Sequence, residues 1–165
     1  MNKILLAVLL ITGISLKAQK LDFPRLGVGI QTSFPLGGLS GKLDITKQHS
    51  AQAIIGIFGP LSIYSGRYLY NFSEDGKNFR IKPYLYGQVG LWSYDFQSIN
   101  QNFQSIEDTE NTLGFSAGAG IEWYSRALSD KLRFNIELGF NKVELIYYKY
   151  RSTSFGGGIH YYFEL

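Results

Sequence analysis

The chain has 165 residues, of which 45% are hydrophobic, 16% are aromatic and 18% are charged, and its formal net charge is +3. This length fits one domain of roughly 100–200 residues, and the abundance of aliphatic and aromatic residues excludes a disordered chain. The chain has no cysteine, which excludes disulfides, thiolate metal sites and cysteine nucleophiles, and its 19 glycines and 12 tyrosines argue against a helical bundle.

The N-terminal segment has the pattern of an export signal. Lys3 gives a positive start, residues 4–16 are almost wholly apolar, and a small residue stands before a cut near Ala18–Gln19. The apolar run is about thirteen residues long, which is short of the roughly 20 that a transmembrane helix needs. We therefore expect a signal peptide at 1–18 and one barrel domain at 19–165. Removing Lys3 and Lys17 from the 16 basic residues leaves 14 against 13 acidic ones, so no nucleic-acid partner is expected.

Eight segments of the remaining chain alternate apolar and polar residues between turn signals, which is typical of β-strands. We expect strands at about 25–34, 38–47, 50–58, 61–73, 79–96, 112–125, 131–142 and 148–165. The clearest alternation runs from Leu132 to Asn141, with apolar residues on one face and polar residues or glycine on the other. A long polar loop is expected at 97–111, and Pro83, which lacks a backbone donor, is expected near a rim or a bulge.

The apolar and polar faces of the predicted strands point in opposite directions in a soluble barrel and in a membrane barrel. A soluble barrel turns its apolar face inward, whereas a transmembrane barrel turns it toward lipid. Glycines interrupt the polar face; they would weaken a solvent-facing sheet but would leave room for bulky side chains in a narrow lumen. Charges of both signs suit ion pairs across a lumen, because an unpaired buried charge is costly. The predicted lumen network, in which Lys82 and the arginines neutralise the glutamates, is Lys42, Asp44, Arg67, Lys82, Glu122, Arg133, Glu137 and His160.

Aromatic residues are concentrated near the predicted strand ends. The relevant residues are Tyr64, Tyr68, Tyr70, Phe72, Trp123, Phe140, Tyr161 and Phe163. Such positions match the aromatic girdles at the interfaces of membrane barrels. Cross-strand packing in a soluble sandwich enriches the same residue types, so this pattern supports the membrane interpretation only together with the signal peptide.

Two stretches carry a resemblance to a known family. The alternating glycines and apolar residues of 113–123, and those of 155–163 at the end of the chain, resemble hairpin and closing strands of small outer-membrane β-barrel proteins from Gram-negative bacteria. The resemblance implies an all-β fold, an eight-stranded antiparallel up-and-down transmembrane β-barrel located in the outer membrane. It also implies outer-membrane lipid and, during insertion, the barrel-assembly machinery as partners. The family hosts several unrelated functions, so the resemblance implies no activity.

The sequence offers little catalytic chemistry. His49 falls in a predicted turn and His160 in the last strand, and neither belongs to a histidine motif with metal-ligand spacing. Residues 114–118 match the letters of a nucleophile elbow, but they lie within a predicted strand rather than in a strand–turn–helix unit. Gly27 and Gly29 lack the third glycine of a dinucleotide fingerprint. We therefore expect a protein that is not an enzyme and has no catalytic residue, cofactor or metal.

Three functions remain open at this point. The first is a non-enzymatic outer-membrane barrel with a structural or surface-interaction role, whose loop at 97–111 meets an unidentified extracellular partner. The second is a secreted or periplasmic soluble barrel that binds a small apolar ligand, as lipocalins do. The third, a porin-like diffusion pore, is weaker because about eight strands leave an interior that side chains fill. An even strand count with both termini in the periplasm places the 97–111 connection outside the cell.

Overall fold

The computed structural model describes residues 23–33, 36–58, 61–76, 79–99, 105–125, 128–144 and 149–164. Its strands are β1 (Arg25–Ser33), β2 (Leu36–Asp44), β3 (His49–Phe58), β4 (Leu61–Asn71), β5 (Phe79–Ile99), β6 (Ser105–Ser125), β7 (Leu132–Glu144) and β8 (Lys149–Glu164). The expected signal peptide at 1–18 lies outside the described residues. Within the described ranges, no helix has the length and apolarity needed to cross a membrane.

The eight strands form one closed antiparallel barrel, as the sequence predicted. Each strand pairs with the next along the chain, and β8 pairs with β1 to close the ring. Arg25 stands opposite Glu164 in that last pair, so both ends of the described chain lie at one end of the barrel. We call this the terminal end; it also carries the β2–β3, β4–β5 and β6–β7 turns. The opposite end, which carries the other four connections, is the distal end.

The β5–β6 hairpin rises above the rest of the distal end. Both strands have 21 residues, and register pairs run to Ile99 and Ser105, whereas β4 pairs with β5 only as far as Tyr94 and β7 with β6 only as far as Gly114. We call residues 95–99 and 105–113 the arm. Five residues beyond Tyr94, at about 3.4 Å each, extend the arm by about 17 Å.

The arm corrects the prediction of a loop at 97–111. β5 continues to Ile99 and β6 starts at Ser105, so most of this segment is paired strand. Polar cross-strand contacts stabilise the arm: Thr109 Oγ1 donates a hydrogen bond of 2.7 Å to Asp95 Oδ1 on the opposite strand. A hairpin that stands free of the barrel needs no buried apolar face, so it lacks the alternation from which strands are predicted.

The turns at the terminal end explain smaller differences between the strand bounds predicted from the sequence and those of the structure. β2 ends at Asp44 rather than at 47, because Ile45 N donates to His49 O at 2.9 Å and Thr46 Oγ1 accepts from His49 N at 3.0 Å. Pro83 lies in a regular part of β5, one residue beyond the last register pair with β4, and its carbonyl accepts from Phe72 N. Proline has no backbone N–H to donate, but because the β4–β5 ladder ends at Tyr84, no residue of β4 is left without a hydrogen-bond donor opposite Pro83.

Candidate functional site

The outer wall of the barrel is apolar. Leucine, isoleucine, valine and aromatic side chains on every strand face outward, and Leu138 and Phe155 are 65% and 63% exposed. On β7 the band runs from Leu132 to Phe140, eight steps or about 27 Å along the strand, and a tilt of about 40° reduces its height to about 21 Å. This height is close to the roughly 25 Å of a lipid-facing band. The exposed charged residues of the described strands, all beyond the distal edge of the band, are Asp95, Lys142, Glu144 and Arg151.

Aromatic residues border this band at the terminal end. Tyr161 and Phe163 are in edge contact at 5.1 Å, and Trp123 stacks on Phe134 at 6.0 Å. Tyr70 and Phe72 are also in edge contact, at 5.4 Å. Two further tyrosines that the sequence grouped with this end, Tyr64 and Tyr68, instead flank Gly66 at the middle of β4. The girdle at this end is therefore narrower than the sequence suggested.

A single carboxylate organises the terminal half of the interior. Glu122 on β6 accepts hydrogen bonds from Lys42 Nζ at 2.5 Å and from Arg133 NH1 at 2.9 Å, and it forms an ion pair with Lys82 Nζ at 3.0 Å. Tyr162 also donates its hydroxyl to Glu122, at 3.3 Å. The glutamate is 1% exposed and Arg133 is 2% exposed, so these ion pairs are out of contact with bulk water.

Neighbouring groups extend this cluster. Asp44 lies 3.7 Å from Lys82 Nζ and accepts a hydrogen bond of 2.7 Å from the Ser50 hydroxyl. The guanidinium of Arg133 lies between two tyrosine rings, at 4.8 Å from the centroid of Tyr124 and 4.6 Å from that of Tyr162. Such cation–π contacts are stronger when the cation is desolvated, as it is here.

A second ion pair crosses the middle of the barrel. Arg67 binds Glu137 through two parallel hydrogen bonds of 2.9 and 3.0 Å, and its Nε donates to Gln88 at 2.5 Å. Tyr84 donates its hydroxyl to Glu137 at 3.2 Å, and the Arg67 guanidinium lies 4.6 Å from the Tyr86 ring centroid. Bidentate arginine–carboxylate pairs combine strength with a fixed geometry, so this pair holds opposite walls of the barrel together.

His160 makes its hydrogen bonds with neutral side chains of the interior, although Arg133 stands opposite it in the β7–β8 register. Its Nε2 lies 2.9 Å from Ser40 Oγ, and Ser40 Oγ accepts from Gln52 Nε2 at 2.7 Å. The nearby pair of Gln31 and Asn135 exchanges two side-chain hydrogen bonds of 3.1 and 3.0 Å. The sequence placed His160 near Glu122, Glu137 or Arg133; in the structure it stands opposite Arg133 in the register, and its side-chain contact at 2.9 Å is with Ser40. Among the described residues, no group of three histidine, aspartate or glutamate side chains could hold a metal ion.

Glycines on the inner face make room for the large side chains. A Cβ atom at Gly120 would lie 2.4 Å from the Tyr84 ring, and one at Gly139 would lie 2.2 Å from the Tyr86 hydroxyl. These distances are far below van der Waals contact. The glycines that interrupt the polar face therefore serve packing.

Both ends of the interior are closed. At the distal end Ile63, Trp92 and Val143 form a buried apolar cluster. At the terminal end Glu74, in the β4–β5 turn, pairs with Arg80 at 2.8 Å and accepts from the Tyr124 hydroxyl at 2.9 Å. Burial alone would raise the pKa of Glu74, but these two hydrogen bonds outweigh it and hold the pKa below its ordinary value.

The space between these two closures is filled. A cavity of ≈ 10 Å³ lies beside Ser33, Ser65 and Arg67, which is room for about one water molecule. A drug-sized ligand needs a cavity of about 300–1,000 Å³. The cavity beside Arg67 is therefore far smaller than a drug-sized ligand needs, and the described interior around it is lined by buried polar side chains.

The eight residues of the predicted lumen network all face this core. Seven of them make the ion pairs described above, and His160 makes neutral hydrogen bonds. Sequence reasoning missed the distal apolar cluster. The alternation of the strands could have found it. Ile63 lies an even number of residues from Arg67 and therefore faces inward as Arg67 does, and Trp92 faces inward for the same reason as Gln88.

Comparisons with known proteins agree with the fold. The N-terminal β-barrel domain of Pseudomonas aeruginosa OprF matches with a TM-score of 0.56 and 15% identity, over 84% of this chain and 96% of that one. Neisserial surface protein A (NspA) aligns with a TM-score of 0.42 and 10% identity, over 86% of this chain and 94% of that one. No family model matches the sequence, and no curated protein matches it. At this identity the OprF domain supports one conclusion, a closed antiparallel barrel of eight strands.

Proposed function

We propose that this chain is an integral outer-membrane β-barrel protein of a Gram-negative bacterium, without enzymatic activity and with a structural or surface-interaction role. The observation that carries the proposal is the inverted burial. Leu138 and Phe155 are exposed on the wall, whereas Lys42, Glu122 and Arg133 are buried and paired. An apolar wall of this extent far exceeds the few hundred Å² that soluble monomers expose, and lipid is the solvent that it suits.

The two alternative functions fit this geometry poorly. A lipocalin-like barrel would need an apolar interior with space for a ligand, but the described interior is lined by ion pairs and has a cavity of ≈ 10 Å³. A diffusion pore would need a continuous aqueous path, but the buried Arg67–Glu137 pair crosses the middle of the barrel and the Ile63–Trp92–Val143 cluster closes its distal end. These observations favour a barrel that acts through its surfaces.

The arm is the part that we assign to surface interaction. Residues 83–125 contain no lysine or arginine, and the four acidic residues of its arm section are Asp95, Glu107, Asp108 and Glu110. The even strand count brings both termini to one end, and with that terminal end in the periplasm the arm projects outside the cell. Outer-membrane lipid around the wall, the barrel-assembly machinery during insertion and an extracellular partner at the arm remain parts of the proposal.

Membrane fractionation combined with cysteine labelling tests this proposal. The chain has no cysteine, so single variants Asn111→Cys in the arm and Lys47→Cys in the β2–β3 turn report each end separately. We expect both proteins in the outer-membrane fraction, resistant to carbonate extraction, and an impermeant maleimide on intact cells to label only the Asn111→Cys protein. Recovery in the soluble fraction would refute the membrane location, and labelling of the Lys47→Cys protein alone would refute the orientation.

A further inference from the structure

We propose that the outer face of the β7–β8 hairpin, at the distal rim, binds the phosphate of a membrane lipid headgroup through Lys142 and Arg151. This inference rests on the proposed function, because it names a lipid that the wall would hold. It concerns a different surface from the acidic arm, and its ligand is an anion.

Lys142 and Arg151 lie side by side at the same level of the outer wall. They stand directly opposite each other in the β7–β8 register, and the next outward-facing pair toward the barrel middle is Phe140 with Thr153. Their side chains are 50% and 59% exposed. On the other side of Lys142, its register partner on β6 is the exposed Phe115. The two cations therefore lie immediately beyond the edge of the apolar band.

The charges at this position are unbalanced. Like charges directly opposite each other on adjacent strands are destabilising. One carboxylate, Glu144, compensates for both: its Oε1 lies 3.6 Å from Lys142 Nζ and also pairs with Arg151 NH2. The hairpin thus holds more positive than negative charge, whereas the arm on the same rim is acidic.

A lipid phosphate has the charge, shape and height to fit here. A guanidinium binds phosphate through two parallel hydrogen bonds, and an ammonium adds a point charge beside it. A phosphate between Lys142 and Arg151 would relieve their repulsion. Phosphates of a bilayer lie just outside the hydrocarbon, at the level of these residues, and the acyl chains could then lie along the exposed Leu138 and Phe155. Free phosphate would gain the polar contacts alone, so we infer a lipid.

Native mass spectrometry of the purified full-length barrel tests this inference. The probes are dioleoyl phosphatidic acid and dioleoylglycerol in mixed detergent micelles, which differ only in the phosphate. The variant is Lys142→Gln with Arg151→Gln, and the matched control is Lys47→Gln with Lys131→Gln, which removes two exposed cations at the terminal end. We expect the wild type and the control to bind phosphatidic acid about tenfold more tightly than the Lys142/Arg151 variant, which corresponds to about 1.4 kcal/mol.

Three results would overturn the inference. They are equal retention of phosphatidic acid by the variant and the wild type, equal retention of dioleoylglycerol and phosphatidic acid by the wild type, and displacement of the lipid by millimolar inorganic phosphate. The last result would identify a site for free anions. Heat-modifiable migration of the variant in electrophoresis checks that it folds. Failure of the wild type to enter vesicles would contradict the proposed function, whereas normal insertion with an unchanged lipid profile would contradict this inference alone.

Discussion

Replacement of Glu122 by glutamine removes the one carboxylate that three buried cations share while keeping the side chain's size. The ammonium groups of Lys42 and Lys82 lie 2.5 and 3.0 Å from this carboxylate, and Arg133 NH1 lies 2.9 Å from it. Asp44, at 3.7 Å from Lys82, is the nearest remaining anion among the ion pairs of the described residues. Breaking a buried pair by removing one partner costs about 3–5 kcal/mol, so we expect Glu122→Gln to cost at least that much.

The assay is urea unfolding of the barrel in lipid vesicles, followed by tryptophan fluorescence. Asp95→Asn on the exposed arm is the matched control and should change the free energy of unfolding by less than about 1 kcal/mol. Adding Lys42→Met to Glu122→Gln removes one unbalanced cation, so the double variant should be more stable than the single one. A loss for Glu122→Gln as small as that of the control would show that the interior is hydrated, and the reasoning about a packed ionic core would be wrong.

Three more predictions test other parts of the barrel. Ile136→Arg, at the middle of the outer wall, should cost about 2–4 kcal/mol in vesicle folding, and Phe140→Arg near the rim should cost less; equal costs would contradict a lipid-facing band. Gly120→Ala should destabilise the barrel by about 1–3 kcal/mol, because a Cβ atom there has no space on the inner face. Gly87→Ala should not destabilise it, because a Cβ atom at Gly87 meets open space on the outer face. The urea midpoints of the two variants measure this difference. The lowered pKa of Glu74 adds stability above its ordinary pKa of 4.5, and this stability is lost as pH falls through the lowered pKa. Glu74→Gln should therefore flatten the acid side of the stability–pH profile, and an unchanged profile would contradict the turn contacts.

The sequence predicted the number of strands and their faces because a two-residue period marks each face of a strand. β7 illustrates this: Phe134, Ile136 and Leu138 face outward, and Arg133 and Glu137 face inward. This alternation was enough to predict that the charged residues of the strands face the interior of the barrel. The arm was missed because its sequence is mostly polar and its few apolar residues do not alternate, so its pairing leaves no periodic apolar signal.

The partners within the interior could not be predicted in full. Parity states which side chains face inward but not how far the strands are staggered around the ring. Lys42 and Glu122 are separated by 80 positions, and their contact depends on that stagger. His160 shows the same limit, because its register neighbour is Arg133 while its hydrogen bond reaches Ser40 on another strand.

The arrangement of the ionic core has a consequence for biogenesis. The Glu122 cluster draws on β2, β5, β6 and β7, and the Gln31–Asn135 exchange joins residues 104 positions apart. The Lys42–Glu122 pair and the Gln31–Asn135 exchange cannot form in a single hairpin, because each joins two strands that are not neighbours in the ring. A lone strand entering the hydrocarbon would carry an unpaired lysine or arginine, which is costly there. In the membrane barrel that we propose, we therefore expect closure of the ring and entry into the bilayer to be concerted, with the pairing of β1 and β8 as the step that removes these charges from water.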